Sequence, residues 1–270
     1  LRSRRPASVG MKLPSFVSWF FSLSTGAAAW TEYLASRDRR KLKHFLNKYC
    51  AEPYTEYTRI RAEDKILALR DDRPSGLVPG GGVVSGLVAG IDTQDNGFWY
   101  WIHAFGFGLT EESWEIRSGW VDTFDGVHRV LLEDAYTDPD GNRYLVHWAV
   151  QDAMGHRTAA VYDFCRVHRG RIVPFKGEPR MAAPVAWSRV DTYPGTAKPI
   201  PGGIKLLRAN VNHYKDKVSG KLDIAPADPG ALHLTADFDE DKAAHLCAET
   251  IDEKTGMWIN PHGRPNHLWD

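Results

Sequence analysis

Two helical patterns, followed by a break, occupy the first 80 residues. From Thr25 to Lys48 most apolar residues recur at spacings of one, three or four, which predicts an amphipathic helix. A shorter helix is predicted from Arg61 to Arg70, where apolar residues recur at spacings of four and three. Prolines and glycines then interrupt the pattern between residues 74 and 82. We therefore predict a helical N-terminal segment over residues 1–80 and a second domain over residues 81–270.

Three apolar and aromatic runs open the second domain. They predict strands from Val83 to Asp92, from Phe98 to Phe107 and from Glu112 to Val121. The turn Asp95-Asn96-Gly97 between the first two is a typical hairpin signal, which indicates antiparallel pairing. A helix is predicted next, from Phe124 to Tyr136, followed by a turn over residues 138–142.

The following segment alternates strand, helix and strand. The strands are predicted over 144–152 and 171–176, and the helix over 157–168. Such a unit favours parallel pairing through a right-handed crossover. Antiparallel strands followed by an alternating unit predict an α/β fold, a mixed β-sheet flanked by helices.

Proline and glycine dominate the segment from Met181 to Gly230. We predict irregular structure there, except for a strand from Gly203 to Ala209. Beyond it, Asp239 to Glu249 predicts an exposed helix with Leu246 directed inward, and Ile251 to Ile259 predicts a hairpin.

Two aspartates follow apolar strands, and a third stands at position 270. Asp92 ends the first predicted strand, Asp152 ends the strand of the alternating unit, and Asp270 follows Asn266-His267-Leu268-Trp269. Hard cations such as Mg²⁺ take oxygen ligands. Two of them about 3.5–4 Å apart activate a water and stabilise the leaving oxygen of a phosphodiester. A single aspartate at a strand end is more often a turn former or a helix cap than a ligand, but the set of three favours metal ligands.

Three further residues near these acids carry candidate chemistry. Lys176 ends a predicted strand, where its ammonium would orient a phosphate as a compact charge or simply face solvent. Asp95 is either a supplementary ligand or part of the Asp-Asn-Gly turn, and we assign it to the turn. His156 titrates near neutral pH and would act on a water or phosphate, or only begin a helix.

Composition indicates a soluble globular protein without a membrane span. The 270 residues are 43% hydrophobic and 25% charged, and no apolar run approaches the roughly 20 residues that cross a bilayer. The net charge is zero, but residues 1–80 carry +7 and the remainder −7. The basic run over residues 37–43 is either a solvated helix face or the basic track that nucleic-acid binding needs.

Cysteine usage indicates a reducing compartment. Cys50, Cys165 and Cys247 are odd in number and unpatterned, so no disulfide framework is predicted. The first residue, Leu1, suggests that the sequence is a fragment, and no secretory signal follows it. The sequence holds no G-x-x-x-x-G-K-[ST] motif, so we predict no ATPase site in this chain.

Several ordered motifs resemble those of one known family. They are Gly-Ile-Asp-Thr-Gln-Asp over residues 90–95, the stretch 151–165, Val-Pro-Phe-Lys-Gly over 173–177 and Asn-His-Leu-Trp-Asp over 266–270. As a set they resemble the nuclease region of the phage terminase large subunit, lambda-type (GpA-like) family. The resemblance covers nearly the whole chain and includes the upstream stretches 15–19 and 42–48.

The resemblance implies an RNase H-like endonuclease that cuts double-stranded viral DNA during genome packaging in the host cytoplasm. It implies two Mg²⁺ or Mn²⁺ ions on Asp92, Asp152 and Asp270, and it supports Lys176 as a catalytic residue. The family more often carries a Glu at the position of His267. The implied partners are DNA, the small terminase subunit and the portal of the procapsid, with no membrane. Residues 1–80 would be the end of the ATPase domain and a helical linker, and residues 81–270 the RNase H-like nuclease domain.

Two alternatives remain open on the sequence. One is another RNase H-like nuclease, of the resolvase or transposase type, which would prefer branched DNA. The other is a non-catalytic module for DNA docking or motor assembly, in which the acids are structural. The polar residues Asn210, Asn212, His213 and Lys215 are candidates to contact DNA in each case.

Overall fold

The computed structural model describes most of the chain. The described residues are 13–17, 22–36, 39–52, 62–108, 111–252 and 254–270. Internal contacts divide the chain into two compact units, Leu1–Tyr57 and Thr58–Asp270. The assignment of residues 1–80 to the end of an ATPase domain stays a prediction, although residues 62–80 belong to the same compact unit as the sheet.

The first unit is helical, as predicted. A 3-10 turn at Ser15–Val17 precedes α1 (Leu23–Ser36), and α2 (Arg39–Phe45) continues into a π-helical turn at Leu46–Cys50. Trp30 packs against Tyr33 within α1, with ring centroids 5.1 Å apart, and against Phe45 at 5.0 Å, and the second contact joins α1 to α2.

The candidate DNA contact at residues 37–43 falls partly outside the described chain. Arg37 and Asp38 are not among the described residues, and no side chain is described for Arg39 or Arg40. Lys41, which is described, forms an ion pair of 2.8 Å with Glu32.

The second unit alternates strands and helices. Its helices are α3 (Glu63–Leu67), α4 (Phe124–His128), which continues as a π-helical turn at Arg129–Glu133, α5 (Thr158–Val167), α6 (Val211–Leu222) and α7 (Glu240–Leu246). Its strands are β1 (Val84–Gln94), β2 (Gly97–Gly106), β3 (Ser113–Val121), β4 (Tyr136–Thr137), β5 (Arg143–Tyr144), β6 (Val146–Asp152), β7 (Ile172–Glu178), β8 (Val185–Thr192), β9 (Pro199–Asn210), β10 (Leu232–His233), β11 (Thr250–Ile251) and β12 (Trp258–Ile259).

Among the described residues, eight strands form one mixed sheet in the order β10-β3-β2-β1-β6-β7-β9-β8. The β1–β2 and β2–β3 pairs are antiparallel, whereas β6, β7 and β9 run parallel to β1. The predicted α/β fold, with antiparallel strands first and a parallel crossover unit afterwards, is confirmed.

The two faces of the sheet differ in what covers them. Because side chains alternate along a strand, Leu87, Ala89 and Ile91 of β1 share one face, here called the core face. There they join a buried cluster with residues of α4 and α5. The opposite face carries Asp92 and is here called the site face. On its antiparallel half, Trp99 and Trp101 pack against a second cluster that includes residues of α3, α6 and α7.

The segment 181–230 is more regular than the sequence predicts. The strand predicted over 203–209 is the centre of the longer β9, while β8 and α6 were not predicted. β8 is an edge strand with one exposed face and one face that is only partly buried, so apolar and polar residues do not alternate along it. Asn210 caps α6 by accepting a hydrogen bond of 3.2 Å from the backbone N–H of His213.

Glu115 gives a first testable prediction, because it is fully buried on β3. Its carboxylate accepts hydrogen bonds from the Ser118 hydroxyl (2.6 Å), the Thr235 backbone (2.9 Å) and the Thr235 hydroxyl (2.7 Å). Glu115→Ala leaves these buried donors unpaired, so we expect it to lower the free energy of unfolding by about 3 kcal/mol in urea denaturation.

The matched control is Glu112→Ala on the approach to the same strand. Glu112 is partly exposed and pairs with His233 at 2.8 Å, and such pairs contribute about 1 kcal/mol or less. Equal losses from the two substitutions would contradict a structural role for the buried carboxylate.

Candidate active site

Asp92 lies near the end of β1, on the site face. Its Oδ2 accepts hydrogen bonds from His267 Nδ1 and Gln94 Nε2, both at 2.8 Å. The His267 ring stacks on Trp99, with centroids 5.8 Å apart and planes at 9°, which fixes the imidazole against the sheet. Burial raises the pKa of Asp92, and the hydrogen bond to His267 opposes that effect.

Asp152 is the last residue of β6, the strand next to β1. Its backbone carbonyl accepts a 2.6 Å hydrogen bond from the Thr93 hydroxyl, which ties the ends of the two strands together. Its side chain accepts a bond of 3.2 Å from the backbone N–H of Met154. Burial raises the pKa of Asp152 to about 6, and the negative charges of Asp92 and Asp270 add to that rise.

Asp270 reaches the site from the turn at residues 266–270. Its carboxylate is bonded to the ammonium of Lys215 and, at 2.7 Å, to the Asn266 amide. Lys215 also binds both oxygens of Glu249, at 2.8 and 2.9 Å. The Glu249 side chain, only 6% exposed, is therefore the inner anchor of this turn.

The three aspartates lie close enough to influence one another. Asp92 and Asp270 both raise the pKa of Asp152, and Asp270 also raises that of Asp92. Within the described part of the chain, no three His, Cys, Asp or Glu side chains are grouped closely enough to hold a metal ion. Protein donors explain the spacing, because His267 holds Asp92 and Lys215 holds Asp270.

The donor set nevertheless fits a hard cation. Carboxylate oxygens are the ligands that Mg²⁺ and Mn²⁺ prefer. Asp152 is buried beside two other acids, and in the described structure its carboxylate accepts hydrogen bonds from backbone N–H groups, those of Met154 and Ala153. A cation among the three would relieve the repulsion that raises its pKa.

Lys176 lies on the other side of the sheet. Asp152 pairs with Phe175 across β6 and β7, so the next side chain, Lys176, points to the core face. Its ammonium is 3.3 Å from the carboxylate of Glu178, which Arg208 also contacts at 2.8 Å. The sheet therefore does not bring Lys176 together with the aspartates.

Asp95 and His156 form an exposed pair near the aspartates. Asp95 lies in the β1–β2 turn, and its Oδ1 is 3.3 Å from His156 Nδ1. The hairpin predicted from Asp95-Asn96-Gly97 is confirmed.

Four residues of the site were not assigned a role in it from the sequence: Gln94, Lys215, Glu249 and His267. His267 lies inside the Asn-His-Leu-Trp-Asp motif, which signals that this stretch belongs to the site. The Glu-to-His difference does not show which residue the side chain contacts. Lys215 was read as a DNA contact because α6 was not predicted. No sequence pattern links Lys215 to Glu249, which lies 34 positions away.

The chain is a mixed α/β domain with acidic side chains at the ends of adjacent strands. Nucleases that rely on carboxylates belong to this class of domain. More specifically, the chain belongs to the family described as "Terminase large subunit gpA, endonuclease domain", which it matches over residues 8–270. The family resemblance noted in the sequence is thereby confirmed, and membership supports a nuclease role in DNA packaging. No curated protein and no solved structure matches the chain.

Among the described residues, no helix combines the length and the apolar character that a bilayer crossing requires.

Proposed function

We propose that the chain is a metal-dependent endonuclease that cuts double-stranded DNA, with Asp92, Asp152 and Asp270 as ligands for two Mg²⁺ or Mn²⁺ ions. The observation that carries the proposal is the burial of Asp152 beside the other two carboxylates, in a chain of the endonuclease family. The RNase H-like assignment is part of the proposal. It is supported by three antiparallel strands followed by parallel strands on the far side of β1.

When bound, a pair of such ions lowers the pKa of a coordinated water and stabilises charge on the leaving oxygen. The protein's own residues prepare the site for them. His267, stacked on Trp99, orients Asp92 by donating a hydrogen bond from Nδ1 to its Oδ2. Lys215 and Asn266 hold the carboxylate of Asp270 toward the other two acids.

Lys176 remains a proposed phosphate contact. Its support is the resemblance and its position one residue beyond the strand partner of Asp152. In that role the ammonium would leave Glu178 and reach a phosphate at the edge of the sheet. The proposed partners from the family resemblance are the small terminase subunit and the portal of the procapsid, with the host cytoplasm as the place of action.

The test is cleavage of supercoiled plasmid and of linear duplex by the purified chain. We expect cleavage of both with Mg²⁺ or Mn²⁺, none in excess EDTA, and recovery when Mn²⁺ is restored. A strong preference for branched junctions would show that the chain is a nuclease of the resolvase type and not a packaging nuclease.

Calorimetry with Mn²⁺ in the presence of DNA distinguishes the proposed nuclease from a non-catalytic DNA-docking or motor-assembly module. Substrate phosphates often complete such sites, so DNA is included from the start. No cleavage, together with no saturable Mn²⁺ binding at millimolar concentrations, would show that the acids are structural.

A further inference from the structure

The parallel half of the site face runs from Asp152 through the partly buried Phe175 and the buried Leu207 to the exposed edge strand β8. Strand register sets a continuous row there, in which Asp152 pairs with Phe175, Phe175 with Leu207, and Leu207 with Trp187. Paired residues point to the same face, so all four side chains lie on the site face. The row ends at the Trp187 indole, which is 55% exposed on the edge strand β8.

A second row runs alongside the first and is basic. Lys205 of β9 pairs with Arg189 of β8, and both lie two residues from the Leu207–Trp187 pair, on the same face. Both side chains are exposed. Arg189 contacts Asp191 at 2.7 Å, whereas Lys205 has no ion-pair partner within the described part of the chain.

Charge is concentrated in this part of the sequence. Residues 169–215, which include β7, β8 and β9, contain nine Lys or Arg and two Asp or Glu. This local charge of +7 contrasts with the zero net charge of the chain and with the acidic balance of residues 81–270. Of these nine cations, Lys205 and Arg189 lie on the site face next to Trp187, and exposed cations beside an aromatic ring suit a sugar–phosphate backbone.

We propose that the site face of β7, β9 and β8 is a docking surface for duplex DNA, which it leads to the three aspartates. Lys205 and Arg189 contact backbone phosphates, and the Trp187 ring packs against deoxyribose. The inference rests on the proposed nuclease function and adds the path of the substrate. Three strand spacings of about 4.8 Å separate β6 from β8. At about 3.4 Å per base pair, the surface spans about four base pairs on one side of the cleaved bond.

The test measures DNA binding without cleavage. Fluorescence anisotropy with a labelled duplex in EDTA is compared for the wild type, Trp187→Ala and the double variant Lys205→Ala/Arg189→Ala. We expect roughly tenfold weaker binding for the double variant and a salt dependence that is shallower by about one to two counterions. For Trp187→Ala we expect about fivefold weaker binding.

Arg129→Ala is the matched control. Arg129 is exposed in the helical layer over the core face, so removing a positive charge there should leave affinity and salt slope unchanged. Equal melting temperatures of all variants would show that each is folded. Wild-type affinity and slope in both surface variants would overturn the proposal, as would an equal loss in Arg129→Ala.

Substrate length gives an independent measurement. Duplexes that extend fully on one side of the cleaved bond are shortened stepwise on the other, and cleavage in Mn²⁺ is followed. We expect the rate to fall when fewer than about four base pairs remain on the docking side; equal tolerance on both sides would contradict the path.

The two proposals fail separately. If the surface variants lose affinity but the wild type never cleaves, the docking surface stands and the nuclease mechanism falls. If the wild type cleaves and the variants bind normally, the nuclease mechanism stands and the docking surface falls.

Discussion

Asp152→Asn is expected to abolish DNA cleavage while making the metal-free protein more stable. The loss should be about a thousandfold or more, because removing a proposed metal ligand forfeits several kcal/mol of charge stabilisation and each 1.4 kcal/mol is tenfold in rate. Plasmid nicking in Mg²⁺ and Mn²⁺ measures it. Asp95→Asn is the control, since Asn suits the exposed β1–β2 turn equally well, and should cut at the wild-type rate.

The gain in stability follows from the burial of a charge. The pKa of Asp152 is raised to about 6, above the value of about 3.9 for a free aspartate. At neutral pH the ionised carboxylate is buried in the folded protein but solvated by water in the unfolded chain, which lowers the free energy of unfolding. Because one pKa unit corresponds to about 1.4 kcal/mol, we expect Asp152→Asn to gain about 2 kcal/mol, or several degrees in Tm.

The sign of the pH dependence provides a further check. Because the folded-state pKa of Asp152 lies above the unfolded value, the stability lost to its ionised form is recovered as the pH falls from about 7 to about 4. The advantage of Asp152→Asn should therefore be largest above pH 7 and vanish near pH 4. Mn²⁺ should raise the Tm of the wild type and leave that of Asp152→Asn nearly unchanged. A variant that cuts like the wild type, or melts below it at pH 7.5 without metal, would contradict this account of the site.

Glu249→Ala is expected to have the second largest effect, on both stability and cleavage. Glu249 accepts two hydrogen bonds from Lys215, one from Asn266 at 2.7 Å and one from the Trp269 indole at 3.1 Å. The Lys215 side chain is itself only 12% exposed. Breaking a buried pair leaves an uncompensated charge and costs about 3–5 kcal/mol. Thermal unfolding measures this loss, and plasmid cleavage should fall with it because the turn that carries Asp270 loses its anchor.

Glu249→Gln separates charge from geometry. The amide keeps the size of the side chain and an oxygen that accepts from Asn266 or Trp269, but it removes the charge opposite Lys215. We expect an intermediate Tm and a weaker affinity for Mn²⁺ in calorimetry. If Glu249→Ala retained the wild-type Tm and cleavage rate, the anchoring role would be wrong.

Much of the fold could be predicted from local patterns. The strands over residues 83–121 were found because their aromatic and β-branched runs are separated by strong turn residues, and their observed bounds differ by one or two positions. The helix predicted to Tyr136 ends at Glu133, because Tyr136 pairs with Tyr144 in a two-residue strand. β8 and α6 could not be found in the same way. An edge strand with one exposed and one only partly buried face lacks apolar alternation, and α6 includes Gly220 near its end and owes its place to tertiary contacts.

The site was predictable in part. Asp92 and Asp152 were located because a carboxylate at the end of a buried strand is a local signal, and the parallel β1–β6 pairing places them side by side. Their roles as ligands stay predictions. The bonds of His267 to Asp92 and of Glu249 to Lys215 depend on how distant segments fold back, and no single sequence specifies that without the assembled sheet.

The hydrogen bond between Asp92 and His267 joins positions 175 residues apart. Contacts of such long range form late, because the intervening chain must first be ordered. A nascent chain that ends before residue 266 therefore has β1 and β6 but neither the imidazole that orients Asp92 nor the third carboxylate. An incomplete chain on the ribosome therefore carries only part of the proposed site.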